Sequence, residues 1–400
     1  MNHPHVTAVL DAQEDRFSRL RLIPWWDEAR IQNARVLVVG AGALGNEILK
    51  NLALLGFQKM AVIDLDRIEE SNLSRAVLYR SQDVGEFKAR TAARAVRELS
   101  PAAMVQPLVA NILYDCGLGL FHWSDVIIAG LDNREARLWI NRCAWKMNRP
   151  WVDGAIEGIN GVARVFVPGA PPCYECTLGA TDWELLERRM SCNLLSNEED
   201  TAGKVPTTPT ISSIIAGVEV QEAVKLLHAM PVLSGRGYIF EGLNHTSYVV
   251  NYTENPDCMS HYILENMAPL PQCSREITLL QLLEIARKDL QTQDVLLEFS
   301  RDVIQKLACP ACEEIEERFA PVGSIRRTEG ACPKDGTMRV VTTIHSYRGE
   351  PELSHRTLDK LGLPLFDVFT ARASEREIGY LLAGDEQEVL AAMAPERRNT

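Results

Sequence analysis

An α/β fold built on a mostly parallel, twisted sheet is what the sequence predicts, and three observations carry that prediction. The apolar run Arg35-Val-Leu-Val-Val39 leads into Gly40-x-Gly42-x-x-Gly45 and then a helix-spaced apolar pattern. That is the strand, glycine turn and helix N-terminus of a nucleotide-binding βαβ unit. A second run, Met60-Ala-Val-Ile-Asp64, ends in an acid at about the distance where one reads a ribose hydroxyl. Further apolar runs alternate with helical patterns up to residue 167, the order of a parallel sheet with ligands at the carboxyl ends of its strands.

Each element has its own reason. Residues 11–33, with Asp15-Arg-Phe-Ser-Arg19 and Trp25-Trp26, read as an amphipathic helix capping the sheet, so 1–34 forms an N-terminal helical segment. In the glycine turn, Gly40 permits the tight bend and Gly42 omits a Cβ that would block a phosphate. Gly45 lets the helix pack close to its strand, leaving free N–H groups to face an anion. Residues 67–75 form a polar loop on the ligand face, and Gly85-Glu-Phe-Lys88 opens a helix running to about Leu99, which Pro101 ends. The strand Asp125-Val-Ile-Ile-Ala129 passes through Gly130-Leu-Asp132-Asn133 into a helix over Arg134–Met147, and Trp151–Gly154 and Gly161–Val167 are strands. Residues 170–210 change character. Cys173-Tyr-Glu-Cys176 precedes a charged helical stretch at Asp182–Met190 and a polar run at Ser196–Lys204. A long apolar helix starts near Val205-Pro-Thr-Thr-Pro209 and extends to about Leu227, a strand pair covers 237–252, and Cys258-Met-Ser-His261 follows. The main domain thus spans 35–274, with a crossover loop at about 177–204, and a small α+β module with its own cysteine cluster fills 275–400.

Composition narrows the function classes. A formal net charge of −12 argues against nucleic acid as the main partner, because phosphate binding needs clustered Lys and Arg. No apolar run approaches the ~20 residues of a membrane span, and the N-terminal residues lack the form of a signal peptide. The expected location is cytoplasmic, where ten cysteines point to metal ligands or nucleophiles rather than disulfides.

The glycine fingerprint alone leaves NAD(P), a flavin and ATP open. The polar residues after it favour ATP. Asp64 and Asp66 suit ribose contacts, Asn72, Arg75 and Lys88 can clamp phosphates, and Asp132 at the next strand end suits Mg²⁺. A dehydrogenase has no need of so many phosphate-facing cations outside its dinucleotide turn.

Taken together, Arg16-x-x-Arg19, Gly40–Gly45, Asp64-Leu-Asp66, Ser71-Asn-Leu-Ser-Arg75, Gly85-x-x-Lys88-Ala and Leu131-Asp-Asn133-x-x-x-Arg137 resemble the ubiquitin-activating superfamily in order and spacing. Its members include the molybdopterin-synthase and thiamine-sulfur-carrier adenylyltransferases and the activating enzymes for ubiquitin-like proteins. The resemblance covers residues 11–262. It implies a Rossmann-like adenylation domain, ATP and Mg²⁺ as cofactors, and adenylation of the C-terminal glycine carboxylate of a ubiquitin-like protein. It adds Ser71, Ser74 and Asn133 to the nucleotide contacts. It also makes Arg19 a finger that reaches the ATP of a second protomer, hence a homodimer. Ala76 stands where the family often has Gln.

Cys173, Cys176, Cys258 and His261 match the family's structural Zn²⁺ site, a closed set of soft ligands that stabilises rather than catalyses. Activating enzymes pass the adenylated carboxylate to a cysteine in the crossover loop. Here the residues just before the long helix hold none, and Cys192 lies farther upstream in the same polar segment. A thiol is the better acceptor at neutral pH, so Cys192 is the expected nucleophile, with Thr201 or Ser196 as oxyester alternatives and no covalent step as a third. Cys116 and Cys143 read as core. Cys309-Pro-Ala-Cys312 and Cys332-Pro-Lys-Asp335 form a zinc-ribbon-like insertion whose fourth ligand is Asp335, His345 or His355, unless the site has decayed. The surrounding pattern is similar to the ubiquitin-fold domain that recruits a conjugating enzyme in many activating enzymes. The competing readings are a sulfur-carrier adenylyltransferase that stops at the adenylate, a silent subunit that only docks a modifier and, more distantly, an oxidoreductase.

Overall fold

A computed structural model describes residues 14–191 and 206–393. Cys192, Ser196 and Thr201, the expected acceptors, lie outside the described residues.

The chain starts with a 3-10 turn at Leu20–Leu22 and a short helix α1 (Glu28–Asn33), capped by Asp27. These replace the single amphipathic helix expected over 11–33. Pro24 explains the break: it holds Ile23 in an extended conformation, ψ 117°, that a helix cannot continue through.

A βαβ unit follows: β1 (Arg35–Val39), α2 (Ala43–Leu55) and β2 (Lys59–Ile63), then α3 (Lys88–Leu99), β3 (Met104–Leu108), α4 (Leu118–Trp123), β4 (Val126–Ala129) and α5 (Arg134–Lys146). Next come β5 (Trp151–Glu157), β6 (Asn160–Phe166), α6 (Ala180–Ser191), the long helix α7 (Pro209–Leu227), β7 (Arg236–Glu241) and β8 (Thr246–Asn251). The eight strands form one sheet in the order β3-β2-β1-β4-β5-β6-β7-β8. From β3 to β5 all neighbours are parallel, and from β5 to β8 they are antiparallel. The strand order reverses between β1 and β4, which opens a crevice at their carboxyl ends where ligands bind in such sheets. The central strands are apolar on both faces because helices cover both, and Val36–Val39 and Val126–Ala129 are fully buried.

The second sheet takes its first strand from β9 (Met267–Leu270), ahead of the expected boundary at 275. It continues through α8 (Leu279–Leu290), β10 (Leu296–Ala308), β11 (Ile315–Pro321), β12 (Val340–Tyr347), β13 (Val368–Ala373), β14 (Arg376–Leu382) and the short α9 (Glu386–Val389). A single strand in this sheet, not a hairpin, precedes α8, so the likeness to a ubiquitin fold stops at a mixed sheet crossed by a helix.

The two sheets share a core. Phe366, Val368, Leu381 and Leu390 pack in one cluster with Leu37, Phe121, Ile127 and Ile140 of the first sheet and its helices. Arg301 donates to the carbonyls of Leu113 (2.6 Å) and Cys116 (2.7 Å), and buried Asp367 accepts from the Leu118 N–H (2.8 Å).

Candidate nucleotide cleft and metal centre

The glycine turn lies at the crevice. Gly40 has φ +94°, and a Cβ there would meet the Gly130 carbonyl oxygen at 2.6 Å, so the turn packs directly on the loop after β4. A Cβ on Gly45 would come 1.9 Å from the Gly40 oxygen, whereas one on Gly42 would point into open space. The packing glycines and the glycine that borders open space in the cleft are therefore separate positions. Asp64, at the end of β2, accepts from the Ala41 N–H (2.8 Å) and the Asp66 N–H (2.8 Å). Burial pushes its carboxyl above the usual value, while the Lys88 charge and those N–H groups pull it down. The Lys88 ammonium is 2.8 Å from the Asp66 carboxylate, which orients it.

A cleft of about 1410 Å³ opens here, and its lining includes Gly40, Gly42, Asp64, Asp66, Asn72, Arg75, Lys88, Asp132 and Asn133. Nine predicted residues from five separate chain segments thus meet on one surface. Asn72 accepts from the Glu69 N–H (3.0 Å), Arg75 donates to the Ser71 carbonyl (2.7 Å), and Asn133 caps α5 through the Ala136 N–H (2.7 Å). The Ser71 hydroxyl turns to Glu69 (3.1 Å) and the Ser74 hydroxyl to the Ser71 carbonyl (3.3 Å), so both serines tie the loop together. Neither is in the lining, nor is Gly45.

Arg19 lies elsewhere. Its neighbour Phe17 packs against Gly56, at the far end of α2 from the glycine turn. Thirteen helical residues at 1.5 Å each put about 20 Å between them. The Arg19 side chain is 87% exposed and 3.8 Å from Glu14.

Several residues that shape the cleft escaped the sequence reading. Buried Asn46 donates to the carbonyls of Ala41 (2.7 Å) and Gly42 (2.9 Å) and accepts from the Leu78 N–H (2.9 Å). The Tyr79 hydroxyl also donates to the Ala41 carbonyl (2.6 Å), and burial raises its pKa. A polar residue just after the last glycine of an apolar helix start was the available signal for Asn46. Farther along the cleft, Arg137, already part of the Leu131–Arg137 motif, and the unforeseen Arg164 share the fully buried Asp153 at 2.7 and 2.9 Å. They come from α5, β6 and β5, and no spacing links them.

Cys173, Cys176, Cys258 and His261 meet with all ligand atoms within 4.8 Å. Cys173 Sγ is 3.8 Å from Cys176 Sγ and 3.6 Å from Cys258 Sγ, and Cys176 Sγ is 3.3 Å from His261 Nε2. A tetrahedral zinc with ordinary bond lengths needs edges of about 3.5–3.8 Å, so this donor set can hold one. The His261 ring stacks on Trp145 of α5, centroids 4.6 Å apart. Cys309, Cys312, Cys332 and Asp335 form a second such group, to which neither His345 nor His355 belongs. Cys116 and Cys143 are buried, and burial pushes both thiols up to about 12. No helix among the described residues is long and apolar enough to cross a membrane.

Known proteins resemble this arrangement. The chain is 33% identical over 264 residues to the SAMP-activating enzyme E1 of Haloferax volcanii, covering 63% of this chain and 91% of that protein. It is 43% identical over 157 residues to the NEDD8-activating enzyme E1 catalytic subunit of Arabidopsis thaliana, covering 36% of this chain and 34% of that protein. The match thus spans about a third of the plant protein's length. Among solved structures, E. coli MccB with ATP has the same fold, with TM-score 0.51 and 21% identity over 62% of this chain and 74% of that one. The ThiF family pattern matches residues 16–260, more than half of the chain, and the protein belongs to the ThiF family.

Proposed function

We propose that the protein uses ATP to adenylate the C-terminal carboxylate of a ubiquitin-like protein. The observation that carries this reading is the joint presence of Asn72, Arg75, Lys88 and Asp132 around Gly42 in one cleft. The names of the relatives support the substrate class.

The substrate carboxylate attacks the α-phosphorus of ATP, the bond to the β-phosphate oxygen breaks, and pyrophosphate leaves. Gly42 lets a phosphate approach the backbone, and the N-terminus of α2 offers N–H groups to it. Lys88 and Arg75 offset the charge that moves onto pyrophosphate. Asp64 and Asp66 bind the ribose. Asp132, exposed at the end of β4, is the carboxylate for Mg²⁺, which supplies further charge neutralisation when bound. Arg19 cannot span the length of α2 to its own cleft, which supports a role in a partner's site within a homodimer. Zn²⁺ at Cys173, Cys176, Cys258 and His261 is structural. Transfer to Cys192 and hand-over to a conjugating enzyme in the cytoplasm complete the proposal.

ATP–pyrophosphate exchange tests it. Exchange should depend on a ubiquitin-like protein and fall at least about 100-fold in Arg75→Ala or Lys88→Ala. A thiol-sensitive adduct on non-reducing gels should vanish in Cys192→Ala. Exchange without an adduct would favour the sulfur-carrier reading, and absence of exchange with every ubiquitin-like protein tried would overturn the proposal.

A further inference from the structure

The second cysteine group lies beyond residue 260, where the family match ends, and nothing in the adenylation reading uses it. It belongs to an arm. β10 is thirteen residues long, and its distal half, Val303–Ala308, pairs with β11 on one side and β12 on the other. The arm's own cluster has three fully buried apolar residues, Ile304, Leu307 and Ile325. That is too little core for a unit of this size without a staple. Ile315, Met338 and Val340 are exposed beside the cysteines.

The two turns that carry the ligands repeat one another position by position. In the first, the Cys309 N–H donates to the Glu314 carbonyl (2.9 Å) and the Glu313 N–H returns to the Cys309 carbonyl (3.0 Å). In the second, the Cys332 N–H donates to the Thr337 carbonyl (2.8 Å) and the Gly336 N–H returns to the Cys332 carbonyl (2.9 Å). Glu313 and Gly336 both have positive φ, 60° and 76°. Ala308 pairs with Ile315, and Ala331 pairs with Met338. Asp335 therefore stands in the second turn where Cys312 stands in the first.

The distances suit a metal. Cys312 Sγ is 3.6 Å from Cys332 Sγ, and Cys309 Sγ is 3.4 Å from Asp335 Oδ2. Asp335 Oδ1 is occupied by the Thr337 N–H at 2.8 Å, which leaves Oδ2 for the ion. Tetrahedral zinc with sulfur and carboxylate ligands has edges of about 3.6–3.8 Å. Three thiolates with one carboxylate make a closed four-ligand set for zinc, softer than calcium or magnesium would take.

We propose that Cys309, Cys312, Cys332 and Asp335 bind a second zinc ion, and that this ion rather than an apolar core keeps the β10–β11–β12 arm folded, independently of the nucleotide cleft. Zinc counting on the purified full chain should give two ions per chain for wild type and one for the Cys309→Ser/Cys332→Ser double variant. Limited proteolysis should then cut that variant within residues 300–345, while binding of a fluorescent ATP analogue matches wild type. Asp335→Cys completes a four-thiolate set and should keep two ions and the protease-resistant arm, which guards against a variant that merely misfolds. One zinc in wild type, two in the double variant, or an arm that resists protease without its ion would each overturn the proposal. None of these readouts depends on adenylation activity.

Discussion

Asn46 shows how much one buried side chain can hold. It satisfies two carbonyls of the glycine turn and the N–H of Leu78, so it fixes the turn to the strap that carries Tyr79. Asn46→Ala would orphan the Leu78 N–H in a fully buried place, and we expect a loss of about 2–3 kcal/mol in unfolding free energy, with weaker ATP binding in a titration. Glu219 is the opposite case: it is fully buried, and neither carboxylate oxygen has a hydrogen-bond partner. A Cβ on Gly154 would meet its oxygen at 2.3 Å, so the absent side chain makes its room. Burial, and then the Asp153 charge, push its pKa well above the ordinary 4.5, against Arg137 and Arg164. Between those two values the folded state binds more protons than the unfolded one. The contribution to stability is thus full below the ordinary value and is lost as pH rises through the raised one, by up to about 1.4 kcal/mol per pH unit. Glu219→Gln should therefore gain stability relative to wild type as denaturation is followed from about pH 5 to about pH 8. A constant difference would mean that Glu219 does not titrate there.

At the scale of elements, α5 joins the cleft to the first metal group. Its N-terminus is capped by Asn133 in the cleft lining, and Trp145 near its other end stacks on His261. Cys176→Ser should release the metal, cost a few kcal/mol in stability and change the fluorescence of Trp145; an unchanged spectrum with zinc lost would disconnect the two. The sequence made the first half of the large sheet legible, because the strand, glycine turn and helix pattern is local and Asp64 and Asp132 follow directly on strand ends. It made the Cys-x-x-Cys pairs legible for the same reason. Arg137 was legible as a motif residue, but its grouping with Asp153 and Arg164 was not, since the three come from separate elements and Arg164 reaches Asp153 only through the antiparallel addition of β6 to β5. Strand β9 was missed because a four-residue segment containing Pro269 carries no alternation to read.

At the scale of the whole molecule, the C-terminal module is joined firmly to the first sheet. Phe366 presents its carbonyl to Gly117 and Gly119, where any Cβ would come within 2.5 Å of that oxygen, and Arg301 and Asp367 fasten the same seam. The sequence suggested a separate module because composition marks the cysteine-rich insertion but not a shared core. Among the described residues, none beyond Glu241 lines the cleft, so the proposed adenylation chemistry and the C-terminal arm can be tested apart. In the proposed reaction a substrate carboxylate attacks the α-phosphorus at Gly42, which leaves one carboxylate oxygen on the phosphate. A ubiquitin-like protein whose C-terminal carboxylate carries heavy oxygen, incubated with the enzyme, ATP and an amine or thiol acceptor, should yield AMP bearing one heavy oxygen, detected by mass spectrometry. AMP formed without the label would rule out attack by the carboxylate on the α-phosphorus.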